Sequence, residues 1–305
     1  MSFRREIHCA AAALVAFVLR GVHQSAHAQD LKPGSLTVEQ ATEIVAGKSA
    51  VSLDGVTEMG VEVAQVLSQY DRGDLRLHRV QTITPEVARA LAPEKKGGTL
   101  WLGLKTITPE VATALAAHSR GMLALNALDK ISVEVARELA QFRGKLTLNG
   151  LRTLSPEVAR ELAKHRSKFT LFGLMEISDE AAEALADHRG TLLLNGLTKL
   201  TSVPLITKML KADDESGRFF SLAKVQTISD HVAKFLAEHQ GKRSVRLTGL
   251  TTLSEANATL LRGNQHIELP SQFQKSQNRC SPAGVVKCLG ILNGPPFTTR
   301  NQSFS

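Results

Sequence analysis

The sequence predicts an α/β fold, a βα solenoid of about eight to nine repeats with a parallel sheet on one face and helices on the other. Its first support is a period. The opening apolar residue of a strand recurs at Val51, Leu75, Leu100, Leu123, Leu146, Phe169, Leu192, Phe220, Val245 and Ile267, at intervals of 24, 25, 23, 23, 23, 23, 28, 25 and 22 residues. Chance does not sustain a spacing near 23 over so many copies. The second support is a change of rhythm inside each copy. Leu146 and Leu148 alternate as in a half-buried strand, whereas Leu154, Val158, Ala159, Leu162 and Ala163 fall at helical spacing. The third is the chemistry of the junction between the two halves. Ser155 is placed to cap a helix, Pro156 takes the first helical position, where a missing N–H costs nothing, and Glu157 faces the positive end of the helix dipole.

In chain order, residues 1–28 have the three parts of an export signal: Arg4 and Arg5 in a basic head, an apolar run from Cys9 to Leu19, and Ala26-His27-Ala28 as a cleavage site. Cleavage after Ala28 and a secreted or periplasmic address are expected. The apolar run ends at Arg20 and is too short to span a bilayer core of about 30 Å. Residues 29–50 read as an N-terminal helical cap, built on Thr37-Val-Glu-Gln-Ala41 and Ile44-Val45. The array itself covers 51–270. Helix starts like that at Ser155 recur at Thr84-Pro85-Glu86, Thr108-Pro109-Glu110, Ser132-Val133-Glu134 and Ser178-Asp179-Glu180. Gly121, Gly144, Gly190 and Gly241 are expected to close the helices and lead into the next strand. Unit 191–217 is irregular: Pro204 stands where helix formers are wanted and a polar loop follows from Lys211, so the array is expected to bend there. Residues 271–305 form a tail rich in Gln, Ser, Asn and Pro. After signal removal its Cys280 and Cys288 are the only cysteines, an even pair expected to close a small disulfide loop in an oxidising compartment.

One unit cannot fold alone, because burying its few large apolar side chains does not offset the entropy of ordering its backbone. Stacking against neighbours supplies the difference. The chain therefore reads as one array with a removable head and a tail. Its composition agrees: with 43% hydrophobic and 22% charged residues in 305, wholesale disorder and a collagen-like fibre are excluded.

The pattern Leu-x-Leu-x-Gly-Leu-x-x-Leu-Ser-x-Glu-Val-Ala-x-x-Leu-Ala at 146–163 resembles the helix-bearing class of leucine-rich repeats, of the ribonuclease-inhibitor-like and GALA type, and most of all the leucine-rich-like repeats of exported bacterial proteins. The resemblance extends over about 36–269. It departs in one respect: those families carry Asn after the strand, in a ladder that hydrogen-bonds the turn, and the corresponding places here are Leu128, Leu151, Leu174 and Leu197. The resemblance implies a protein-interaction scaffold and carries over no catalytic residue.

The net charge of +8 invites a nucleic-acid partner, but it is unevenly spread. Residues 1–28 hold three Arg against Glu6, and residues 271–305 hold Lys275, Arg279, Lys287 and Arg300 with no acid, which leaves +2 over 29–270. The array is then expected to be near neutral, without a broad phosphate-binding surface. Aromatics are 4% of the chain, with one Trp and one Tyr, so platforms for stacking bases are scarce. No nucleic-acid partner is expected.

Three columns of residues invite a chemical reading. Glu86, Glu110, Glu134, Glu157 and Glu180 are explained by helix-start chemistry. His118, His165, His188 and His239, with Phe142 in the same slot, lack the further ligands a zinc ion needs and read as last-turn residues, partly charged and covering the next unit. The strand residues that point away from the core are different, because they vary while the framework stays fixed. They are Arg76, Trp101, Ala124, Thr147, Thr170, Leu193, Ser221 and Arg246 in one column and His78, Gly103, Asn126, Asn149, Phe172, Asn195, Ala223 and Thr248 in the other. Of these, Arg76, His78, Trp101, Asn126, Thr147, Asn149, Thr170, Phe172, Leu193 and Asn195 are the expected binding face, since apolar groups such as Trp101, Phe172 and Leu193 do not sit in water without reason. No nucleophile elbow, phosphate loop, HExxH or paired CxxC occurs. The expected function is an exported, non-catalytic scaffold without metal or cofactor that binds a protein. The alternative is a structural envelope component that binds wall polysaccharide or associates with itself.

Overall fold

In the computed structural model, the described residues are 34–47, 53–70, 73–92, 98–117, 121–211, 219–241 and 244–274. The signal segment, Val51, His118 and the pair Cys280 and Cys288 lie outside them. The protein is α/β with parallel sheets. It opens with helices α1 (Val38–Ala46) and α2 (Val61–Leu67), then alternates β1 (Leu75–Leu77), α3 (Pro85–Leu91), β2 (Thr99–Leu102), α4 (Pro109–Ala116), β3 (Met122–Ala124) and α5 (Val133–Ala140). The alternation continues through β4 (Lys145–Thr147), α6 (Pro156–Ala163), β5 (Phe169–Thr170), α7 (Asp179–Ala186), β6 (Leu192–Leu193), β7 (Lys199–Leu200) and α8 (Val203–Lys211). It closes with β8 (Phe219–Ser221), β9 (Thr227–Ile228), α9 (Asp230–Ala237), β10 (Ser244–Arg246), α10 (Glu255–Arg262), β11 (Ile267–Glu268) and the single turn α11 (Ser271–Gln274).

Strands β1 to β6 pair in chain order into one six-stranded parallel sheet. The apolar strand column is its register, with Leu75, Leu100, Leu123, Leu146, Phe169 and Leu192 as successive partners. A three-stranded sheet β8-β10-β11 repeats the pattern with Phe220, Val245 and Ile267 in register. Strand β7 pairs with β9 in a two-stranded sheet that bridges the two. Each helix packs on the next along the chain. Strand residues such as Leu146 and Leu148 share one apolar core with helix residues such as Val158 and Leu162.

The five helix starts that the sequence predicts are present, and two more like them follow at Ser229 and Ser254. Thr84, Thr108, Ser132, Ser155, Ser178, Ser229 and Ser254 each accept a hydrogen bond from the backbone N–H three residues on. Pro85, Pro109 and Pro156 stand in the first turn. Thr37 and Gln40 form a complete capping box at α1.

Two expectations about breaks are corrected. Pro204 does not interrupt a helix: it lies in the first turn of α8, where no N–H is needed, and Ser202 accepts from the Leu205 N–H at 3.3 Å. The irregularity of unit 191–217 instead appears in the sheet, which stops at β6 and resumes at β8. Gly144 and Gly190 do not cap helices either, since α5 and α7 end at Gln141 and Asp187 in ordinary right-handed conformation. A Cβ on Gly144 would run into the Gly121 carbonyl oxygen and one on Gly190 into that of Ser167. Glycine is required there because successive units approach through their backbones. Gly150, Gly173, Gly196 and Gly249, just after the strands, meet carbonyls of the preceding unit in the same way.

Candidate functional site

The first outward column runs in register across the sheet as Arg76, Trp101, Ala124, Thr147, Thr170 and Leu193. Only its beginning is open. Arg76 is exposed and Trp101 half-buried, but Ala124, Thr147, Thr170 and Leu193 are 1%, 8%, 6% and 8% exposed. Parallel strands lie about 4.8 Å apart, so small and medium side chains standing in register shield one another. The expectation of an open face is therefore corrected at Thr147, Thr170 and Leu193.

Trp101 packs its ring on His78 at 5.7 Å between centroids. Beside them Asp74 accepts the Thr99 N–H at 2.9 Å and pairs with Arg76 at 3.8 Å. Burial pushes the Asp74 carboxyl up, but Thr99, Trp101 and Arg76 outweigh it and hold the group below the ordinary value. This corner is an ionised cluster in which the buried Trp101 Nε1 completes no hydrogen bond among the described residues.

In the second column His78 and Asn195 are exposed and Asn126 and Asn149 half-buried. The two asparagines are engaged between units. Asn126 Oδ1 accepts the Asn149 N–H at 3.1 Å, and Asn149 Oδ1 accepts the Phe172 N–H at 3.0 Å and the Thr170 hydroxyl at 3.2 Å. The chain thus has an asparagine ladder after all, two residues before the leucines where the resembled families place theirs. The 23-residue spacing of Asn126 and Asn149 was the signal for it.

Phe172 is different, at 39% exposed, and Met175 beside it is 49% exposed. Both border a groove of about 550 Å³ that is floored by Gly173, Gly196 and Gly249 and flanked by the cations Arg152 and Lys224. The groove lies where the six-stranded sheet gives way to the three-stranded one. Met175 was not singled out by the sequence because it sits in the turn rather than on the strand.

The histidine column is interior at His165 and His188, whereas His239 is half-buried. His165 is 0% and His188 2% exposed. Phe142, His165 and His188 stack in sequence, at 6.3 and 6.0 Å between centroids and within 11° of parallel, and Phe169 meets both imidazoles edgewise or tilted. Burial pushes the His165 imidazole down. The backbone of Ala140, Lys168, Phe142 and Gly144 pulls the other way, but among the described residues neither ring nitrogen completes a hydrogen bond. Burial, and then the His165 ring, push His188 down to about 4, against the Ser167 carbonyl 3.1 Å from its Nε2. The rings are neutral and structural, so the expected partly charged helix-end role is corrected for these two, while their cover of the next unit is as expected.

The glutamate column stands at helix starts. The carboxyls of Glu86, Glu110, Glu134 and Glu157 are held below the ordinary value first by their own backbone N–H and then by the capping hydroxyl. Among the described residues no group of three or more His, Cys, Asp or Glu is placed to hold a metal ion, and no helix is long and apolar enough to cross a membrane. No known family model matches the chain, and no curated protein matches it.

Proposed function

We propose that the chain is an exported, non-catalytic scaffold, a solenoid of eight to nine leucine-rich-like repeats that recognises another protein through the outward side of its parallel sheet. The observation that carries this reading is the pairing of Phe172 and Met175. Among the four large apolar side chains most open to water in the described residues, these two alone border one groove. Exposed apolar groups rimmed by polar ones mark contact sites. Arg152 and Lys224 at the rim suit a partner segment that offers an apolar side chain next to a carboxylate. The contact set within the face is then His78, Trp101, Phe172 and Asn195, with Met175 added. A signal cleaved after Ala28 and a Cys280 to Cys288 disulfide belong to the same proposal, as features of an exported protein.

The test is capture of partners from the exported fraction by wild type and by Phe172→Ala with Met175→Ala. The double variant is expected to lose at least about tenfold in affinity, the scale of a contact hot spot. Equal capture by both proteins overturns the face. The second reading, an envelope component that binds wall polysaccharide or associates with itself, is favoured by cations gathered along the opposite edge of the sheet.

A further inference from the structure

We propose that the edge where helices return to strands is a binding surface for a linear carboxylated polysaccharide. A groove of about 670 Å³ crosses the beginnings of β2 to β6. Its floor is backbone at Gly98, Gly121, Gly144 and Gly190, and at Gly98, Gly144 and Gly190 the close stacking of units leaves no room for a side chain. Its walls are Arg143, Lys145, Arg166 and Lys168. Arg166 also borders two adjoining recesses, of about 420 and 470 Å³, which add Arg189 and Arg137.

The acids near this edge are few and mostly engaged. Asp74 at one end holds Thr99 and Arg76, and Glu161 pairs with Lys164 at 2.8 Å and Arg137 at 3.6 Å, which leaves Asp187. By contrast, Arg143, Lys145, Arg166, Lys168 and Arg189 have no ion pair or side-chain hydrogen bond among the described residues. The near-neutral total over 29–270 therefore conceals a separation of charge. Glutamates gather where helices begin and free cations where they end, as the helix dipole favours.

The arrangement selects among polyanions. Arg143, Arg166 and Arg189 recur every 23 residues, one strand step of about 4.8 Å. That is close to the length of one sugar unit, so a polymer with one carboxylate per sugar meets one arginine per step. Duplex nucleic acid carries a charge about every 1.7 Å of axis, far denser than this. No aromatic ring lines the groove to stack an unpaired base. Thr191 instead offers a hydroxyl beside the cations, and the Ser167 hydroxyl, which donates to the Arg143 carbonyl at 2.8 Å, can still accept from a sugar hydroxyl.

The experiment titrates polygalacturonate into the full chain by calorimetry, with neutral dextran and single-stranded DNA as comparison polymers. Wild type is expected to bind polygalacturonate, more weakly as salt rises, and to ignore dextran. Arg143→Gln with Arg166→Gln and Lys168→Gln is expected to weaken binding tenfold or more while circular dichroism stays unchanged. Thr191→Lys extends the Lys145 and Lys168 row by one step and is expected to tighten it severalfold. If the triple variant fails to fold, Thr191→Lys decides alone, and no gain there overturns the proposal. Absence of polygalacturonate binding overturns it, as does equal binding by a folded triple variant, which would place the contact on the cations of 271–305. Tighter binding of DNA also overturns it.

Discussion

Up to Leu193 the strands join one after another into a single sheet, whereas beyond it the chain breaks that rhythm and begins a second, shorter sheet. Leu192 and Phe220 are 28 residues apart instead of 23. The two regions are nevertheless tied together by another layer. The Thr198 N–H bonds the Met175 carbonyl at 2.8 Å, the Gln226 N–H bonds that of Thr198 at 2.7 Å, and the Thr251 N–H bonds that of Gln226 at 3.0 Å. This turn ladder crosses the gap without a break, and β7 and β9 pair beside it. The stacking of units thus rests on two hydrogen-bonded layers, and an insertion that interrupts one leaves the other intact.

The strongest test of this contrast removes the same side chain from the same column in both regions. Leu148 and Leu247 are each 0% exposed. Truncation to Ala is expected to cost about 2–5 kcal/mol, with Leu148→Ala toward the upper end because a longer sheet collapses less readily around a cavity. Chemical denaturation measures both, and equal losses would break the contrast.

Acid should sharpen it, because the buried ring stack lies in the first region. The unfolded imidazole titrates near pH 6.5, about 2.5 units above folded His188, so the unfolded chain binds more protons between these values. Stability is then complete above about pH 6.5 and falls by about 3 kcal/mol as pH drops to 4, with His165 acting in the same direction. His188→Phe, which copies Phe142, is expected to flatten the curve over this window. Hydrogen exchange read along the chain should show 156–193 losing protection before 244–268.

Two smaller tests should give the same result on both sides of the gap. Gly173→Ala and Gly249→Ala each drive a Cβ into a carbonyl of the preceding unit, at a cost of about 1–3 kcal/mol seen as a lower melting temperature. A large difference between them would mean that the turns do not stack alike. Ser155→Ala and Ser254→Ala each remove one cap, for about 1 kcal/mol apiece in the same assay.

Much of this was legible in the residues. The strand register from Leu75 to Leu192 and the capped helix starts follow from local chemistry that each unit repeats, so sequence alone locates them. What stayed hidden depends on neighbours. Thr147 and Thr170 look like surface residues until the strands beside them are placed, and His165 looks like a helix-end cation until its ring is set between Phe142 and His188. Pro204 reads as a breaker unless its position is counted from Ser202. The groove at Phe172 and Met175 could not be read in advance, because it forms between units on either side of the gap. The cationic edge was masked by a near-neutral sum, since totals carry no information about where charges lie.

The uniform step between units has a consequence for the length of the protein. Excising 146–168 would set Phe169 beside Leu123, bring His188 against Phe142, and present Asn126 to the Phe172 N–H in place of Asn149. Every layer would close again. Excising half as much would leave strands facing helices. Such a chain can be lengthened or shortened by duplication and loss of whole units without redesign, and its size is free to change in increments of 23 residues while the contacts of each unit stay the same.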